Sequence, residues 1–243
     1  MSILVLEHEE HCGPGRLGRV LVQYGHRLNI RRLWAKEGVP PDLDDAQAVV
    51  CLGAAASTAV LLGAPRAKGE AGLIRQAHER TLPVIGVGTG SLLVALALGG
   101  AVGPLGDNAV EVGWRESKMA FAGTIEAILA GQPWRAMQFV WQSEQVTKLP
   151  ADSAGLMGTK ACRTLGWRAG IRTYGFQQNI EMGAADIERW SINRGKERQA
   201  AGLSHEQLMS ETKKWMPDFD RLSERLSRSL VDYLLPASLR QCS

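Results

Sequence analysis

The sequence predicts an α/β fold: a doubly wound, mostly parallel sheet flanked by helices, with a helical C-terminal segment. Three observations carry this. Runs such as Ala48–Leu52 (AVVCL) and Pro83–Val87 (PVIGV) are apolar without alternation, as strands buried on both faces are. Segments of helical apolar spacing lie between such runs, and alternating β and α elements argue for parallel strands. From Ala184 onward the chain reads as helical.

Taken in order, Ile3–Leu6 reads as a strand and Arg16–Tyr24 as a helix with Leu17, Val20 and Leu21 on one face. Leu28–Leu33 and Ala48–Leu52 follow as strands, Gly72–Arg80 as a helix, and Pro83–Val87 as a strand feeding a helix over Ser91–Leu98, which Gly99-Gly100 ends. Between about Asn108 and Met182, AVEVGW, MQFVW, LGWRAG and TYGFQQN read as shorter strands, an extension of the sheet with an antiparallel flap. Ser204-x-x-Gln207 is a capping box opening a helix to about Trp215. Pro217 then starts another helix, with Phe219, Leu222, Leu226 and Leu230 in one stripe and Arg221, Glu224, Arg225 and Arg228 opposite. The expected division is residues 1–195 as one α/β domain and 196–243 as a helical segment packed on it.

Composition excludes several classes. With 243 residues, 45% hydrophobic and 22% charged, the chain is an ordinary globular one. Its 28 basic and 25 acidic residues give a formal charge of +3, too balanced to argue for nucleic acid. Cys12, Cys51, Cys162 and Cys242 form no C-x-x-C pair and no disulfide framework, which fits a reducing cytoplasm. The N-terminus MSILVLEHEE lacks a basic n-region and reads as no signal peptide. The uncharged stretch between Arg80 and Asp107 is long enough for a bilayer. Gly86, Gly88 and Gly90 break it into strand, turn and helix, so no membrane span is expected.

In sheets of this kind ligands sit beyond the carboxyl ends of the strands, which directs attention to His8–Gly15, Gly53–Thr58 and Gly88–Ser91. PVIGVGTGSLLVALALGG has the form of a nucleophile elbow, in which a sharp turn after a strand lifts one side chain above the sheet. The next backbone N–H, at a helix N-terminus, can stabilise an oxyanion. The residue between Val87 and Thr89 would be the nucleophile, and it is Gly88.

Seven segments in order resemble the class I glutamine amidotransferases, in particular the free-standing group similar to the glutaminase of GMP synthase. ILVLEHEEHCGPGRLG resembles the first strand and Gly-Pro-Gly loop, VVCLGAAAS the oxyanion strand, PVIGVGTGSLLVALALGG the elbow, and EVGW a strand motif. WQSEQVTKLP matches the segment that holds a His-Gly-Asp, YGFQQNIE the G-x-Q-F-H-P-E motif, and AAGLSHEQL the helical tail. The resemblance implies a flavodoxin-like sheet, glutamine hydrolysis and a synthetase partner. It also implies where the chemistry would sit. A glutaminase needs a thiolate, a histidine base and an orienting carboxylate; by register these positions are Gly88, Asn179 and Glu181. The glutamine that helps to hold the substrate is Leu92, the histidine of the His-Gly-Asp is Gln142, and the second oxyanion-strand glycine is Ala54, beside Gly53. Glycine has no side chain and Asn179 accepts no thiol proton near neutrality, so the resemblance points to a degenerate triad.

The expectation is a non-catalytic binding or partner subunit whose former cleft (Gly53, Ala54, Gly88, Thr89, Leu92, Trp141, Gln142, Asn179, Glu181) holds a small polar ligand, with no cofactor. Thr89 and Ser91 read as capping or packing residues, not as displaced nucleophiles. A second reading is an enzyme of altered chemistry, a hydrolase or amidotransferase-associated subunit, using His8, His11 and Cys12 of the HEEHC loop or a metal there, since zinc takes imidazole and thiolate. A third is a working glutaminase. Cys51 and Cys162 read as core residues and Cys242 as an exposed tail residue. His26, His78 and His205 read as surface residues. The tryptophans (Trp34, Trp114, Trp134, Trp141, Trp167, Trp190, Trp215) read mostly as core, with Trp141 in the cleft.

Overall fold

The structure, a computed structural model, describes residues 1–54, 56–106 and 110–236; Cys242 lies outside the described residues. In chain order the elements are β1 (Ser2–Glu7), α1 (Gly15–Gln23), β2 (Leu28–Arg32), β3 (Ala46–Cys51), α2 (Thr58–Leu62), α3 (Ala67–Glu79), β4 (Val84–Val87) and α4 (Thr89–Ala97). There follow β5 (Ala101–Pro104), β6 (Glu111–Met119), α5 (Phe121–Thr124), β7 (Arg135–Gln142), β8 (Glu144–Lys148), β9 (Ser153–Gly158), β10 (Gly166–Ala169) and β11 (Thr173–Phe176). The chain then turns helical: α6 (Ala184–Asn193), α7 (Gly195–Ala200) and α8 (His205–Leu234).

The main sheet has nine strands in the order β2-β1-β3-β4-β11-β10-β9-β6-β7. The strands from β2 to β11 run parallel, and the other four extend the sheet antiparallel. The middle segment therefore supplies the whole of that extension, while β5 and β8 form a separate antiparallel pair.

Unbroken apolar strands are explained by burial on both faces. On one face Ile3, Val5, Val50, Ile85 and Phe176 pack with Leu17 and Leu21 of α1 and Leu226 and Leu230 of α8. On the other, Leu4, Leu6, Val49, Cys51 and Val84 pack with Leu73 and Ile74 of α3 and Val94 of α4. Neighbouring residues of one strand thus point into different cores, as the pleat requires. A third cluster joins Cys12, Trp114, Phe139, Ile187, Trp190, Leu208, Met216 and Phe219 under the C-terminal helices. The uncharged stretch folds as β4, a turn, α4 and β5, and among the described residues no helix is long and apolar enough to cross a membrane.

Four expectations need correction. The helix before β4 starts at Ala67 rather than Gly72, and the short α2 precedes it; the glycines at 69 and 72 lower local propensity, but Leu73, Ile74 and Ala77 anchor the whole helix in the core. The two C-terminal helices are one. The capping box at Ser204 forms as expected, with Gln207 N–H on Ser204 Oγ (3.1 Å) and Ser204 N–H on Gln207 Oε1 (2.8 Å). The helix then runs through Pro217 to Leu234, because Met216 and Phe219 on either side dock in the third cluster while Pro217 stays exposed. Trp134 and Trp34 are 68% and 38% exposed, not core. His26, by contrast, is buried, its Nδ1 3.0 Å from Gln47 Nε2.

Candidate functional site

The site forms where β3 and β4 end. Val87 is wholly buried, and the chain then turns at Gly88 with φ 57° and ψ −134° before α4 begins at Thr89. This backbone region is open to glycine and strained for other residues. Gly88 N–H donates to Phe176 O (2.8 Å), which ties the turn to β11. Gly90 and Gly53 allow the close approach this needs. A β-carbon on Gly90 would lie 2.1 Å from Cys51 O, and one on Gly53 would lie 3.0 Å from Thr89 N. Two glycines thus hold the loop after β3 against the elbow, so the strand–turn–helix reading of the sequence has a direct steric cause.

Asn179 and Glu181 come from the loop after β11. A β-carbon built on Gly88 would lie 3.1 Å from Asn179 Nδ2. That same Nδ2 donates to Glu181 Oε1 at 3.2 Å. Positions 88, 179 and 181, which the resemblance matched to nucleophile, base and orienting acid, are therefore successive neighbours in space. Asn179 Oδ1 and Glu181 Oε2 are buried with no hydrogen-bond partner among the described residues. Burial is the main cause that pushes the Glu181 carboxyl up to about 7; the bonds from its own backbone N–H and from Asn179 oppose the shift.

A cavity of about 240 Å³ opens above Gly88. Ala54, Gly88, Thr89, Leu92, Trp141 and Gln142, all expected at the site, line it. Gly53, Asn179 and Glu181 do not: Gly53 packs beneath the elbow, Asn179 stands behind Gly88, and Glu181 lines a different cavity with Glu7, His11 and Cys12. Gln142 is engaged within the protein, donating to Glu111 Oε2 (2.9 Å) and accepting from Gln177 Nε2 (3.0 Å). Ser57 lies in the Gly53–Thr58 segment that the sequence singled out, whereas Gln177 and Glu197 were missed as lining residues. Gln177 had a signal, two positions before Asn179 on the same strand end; Glu197 had none, because only tertiary folding brings α7 to Trp141, whose Nε1 donates to Glu197 Oε2 at 2.5 Å.

The hydroxyls beside the elbow are both engaged. Thr89 Oγ1 donates to Ala54 O (2.7 Å) and Ser91 Oγ to Gly88 O (2.7 Å). They brace the turn through carbonyls, where the sequence suggested that Ser91 would serve free N–H groups.

The HEEHC loop does not gather into one site. His8 turns inward, with Nδ1 2.8 Å from Leu52 O and Nε2 2.7 Å from Glu70 Oε1. His11 and Cys12 face the neighbouring cavity instead, and Arg194 Nη2 lies 3.6 Å from Cys12 Sγ. Among the described residues no three His, Cys, Asp or Glu side chains are grouped to hold a metal ion. Burial, helped by Glu9, pushes the Cys12 thiol up to about 12; burial does the same for Cys162 and raises Cys51 well above its usual value. Such thiols carry no thiolate near neutrality.

With this geometry in view, solved structures give a consistent answer. A glutamine amidotransferase from Thermotoga maritima superposes with a TM-score of 0.82 at 22% identity, over 96% of this chain and 97% of its own. The fold is that of the glutamine amidotransferases. A glutamine amidotransferase from Methylobacillus flagellatus matches at TM-score 0.85 and 20% identity, over 96% and 95% of the two chains. A putative GMP synthase subunit from Thermoplasma acidophilum matches at 0.57 and 21%, over 82% and 98%. Neither a protein-family model nor a curated protein matches the sequence. In this amidotransferase fold the elbow after β4 is where Gly88 stands.

Proposed function

We propose that this chain is an amidotransferase-fold protein without glutaminase activity, which uses the former glutamine cleft for binding. One observation carries the reading. The elbow, the facing side chain and the carboxylate are adjacent in space, but Gly88 offers no atom to attack a carbonyl, and Asn179 has no basic nitrogen. The ionisable partner that remains, Glu181, cannot do both jobs. The buried, high-pKa thiols at Cys12, Cys51 and Cys162 supply no substitute nucleophile.

A protein partner, such as a synthetase, belongs to this reading. The similar structures include PurLQS, at TM-score 0.59 and 13% identity, beside the GMP synthase protein of Thermoplasma acidophilum. The three free cysteines of the described residues fit a reducing compartment, and we assign the cytoplasm on that basis. The parting of His8 from His11 and Cys12 weighs against the altered-chemistry reading.

The test is ammonia release from glutamine by the purified protein, with covalent labelling by a glutamine-mimicking electrophile as a second readout. Neither is expected above background. Ammonia release that persists through purification and tracks with the protein would overturn the proposal.

A further inference from the structure

The cavity above Gly88 has a one-sided charge. Glu144 and Glu197 are its charged lining residues, and no Lys, Arg or His lines it among the described residues. Each carboxylate is held by neutral donors. Glu144 accepts from Thr58 N–H and Oγ1–H, both at 2.9 Å, and Glu197 accepts from Trp141 Nε1. Among the described residues neither forms an ion pair. Two carboxylates on one partly enclosed space, uncompensated by a cation, make a negative potential that water screens less than it does at an open surface.

A buried amide just behind Gly88, outside the cavity lining, makes a second demand. Asn179 is 2% exposed, its Oδ1 has no partner, and its Nδ2 faces the space a Gly88 side chain would fill. A carboxamide so buried favours a polar group placed above Gly88, in whichever orientation the amide takes. Between Gly88 and the acidic residues, Ala54, Leu92 and Val110 are apolar and Trp141 contributes an indole. The volume, about 240 Å³, is below the roughly 300–1,000 Å³ of sites for drug-sized ligands.

We infer that this cavity binds a small organic cation: a protonated primary amine joined by a short apolar stem to an uncharged hydrogen-bonding group such as an amide, with no carboxylate. The ammonium meets Glu144 and Glu197 beside the Trp141 ring, the stem lies on the apolar wall, and the amide sits over Gly88, in the space that adjoins Asn179 Nδ2. A carboxylate on the ligand would face two others. The inference rests on the reading above, that the cleft binds rather than hydrolyses.

Calorimetric titration of the whole protein near neutral pH tests this with three near-isosteric probes: 4-aminobutanamide, a cation; pentanamide, neutral; and succinamate, an anion. The cation is expected to bind at least about tenfold more tightly than pentanamide, and succinamate not to bind. Glu144→Gln and Glu197→Gln should each weaken the cation by about tenfold and leave pentanamide unchanged. Glutamine keeps an acceptor for Thr58 or Trp141, and Glu197 lies on the short, partly exposed α7, so at least that variant folds. Equal or tighter binding of pentanamide or succinamate, or saturable binding by none of the three, overturns the inference. The ammonia assay judges the underlying reading separately, since a protein that releases no ammonia and ignores all three probes refutes only the choice of ligand.

Discussion

A β-carbon on Gly88 would stand 3.1 Å from Nδ2 of Asn179, and Asn179 in turn holds Glu181 at 3.2 Å. That spacing is tight for a carbon contact, so a side chain placed at 88 lies directly against the residue at 179. In Gly88→Cys alone the thiol meets an amide, and alkylation should report a pKa at or above the usual value near 8.5. In Gly88→Cys with Asn179→His, an imidazole next to the thiol should bring that pKa below 8, roughly, as in paired Cys–His sites. The pH dependence of iodoacetamide labelling distinguishes them; identical profiles would mean that the two positions do not communicate. Both variants place a side chain at φ 57° and should lose about 1–3 kcal/mol of stability.

Glu181 sets a pH dependence of folding. Its carboxyl sits at about 7 in the fold because burial disfavours the charged form, against about 4.3 in an unfolded chain. The folded state thus holds the proton more tightly. The stabilisation is full below the unfolded value and is lost as pH rises to about 7, for a total on the order of 3 kcal/mol. Glu181→Gln keeps an acceptor for Asn179 and removes the titration. Denaturation curves at about pH 5 and pH 8 should therefore differ less for the variant than for the parent; an equal difference in both would mean that Glu181 ionises normally.

Pro217 lies exposed in the interior of α8. It supplies no N–H to the turn before it, and its ring crowds the carbonyl of Lys213. Pro217→Ala should stabilise the protein by about 1–3 kcal/mol, read as a higher denaturation midpoint with an unchanged slope. A loss of stability would show that a bend at Pro217 is needed to dock both ends of the helix.

His8 is a structural link rather than a ligand-binding group. Removing its ring leaves Leu52 O and the Glu70 carboxylate without their partner in a buried place. His8→Ala should cost about 2–4 kcal/mol, from desolvated groups left unpaired, while 4-aminobutanamide binding stays within about twofold at a temperature where the variant is folded. A change in ligand affinity with little change in stability would reverse this assignment.

The parallel half of the fold was legible because Ile3–Leu6, Ala48–Leu52 and Pro83–Val87 are strands buried on both sides, and burial leaves a continuous apolar signature. The elbow was legible for a steric reason: Gly86 and Gly90 stand where helix α4 and β3 leave no room for a β-carbon. Pro217 misled because local propensity predicts a break, whereas docking of Met216 and Phe219 supports a continuous helix. The HEEHC cluster misled because closeness in sequence does not fix direction; His8 and Cys12 leave the same loop towards different interiors. Glu197 was out of reach entirely, since its place beside Trp141 depends on how α7 closes over the sheet.

Arg16 of α1 pairs with Asp220 of α8, across 204 residues of chain, and also donates to Ile180 O. One side of α1, among the first parts of this sequence to leave a ribosome, packs against α8, among the last, whose Leu226 and Leu230 share the α1 core cluster. At about 5–20 residues per second, that gap is on the order of 10–40 s. For that interval the face of α1 that meets α8 has no partner, so a chain stalled before α8 would expose apolar surface to proteolysis.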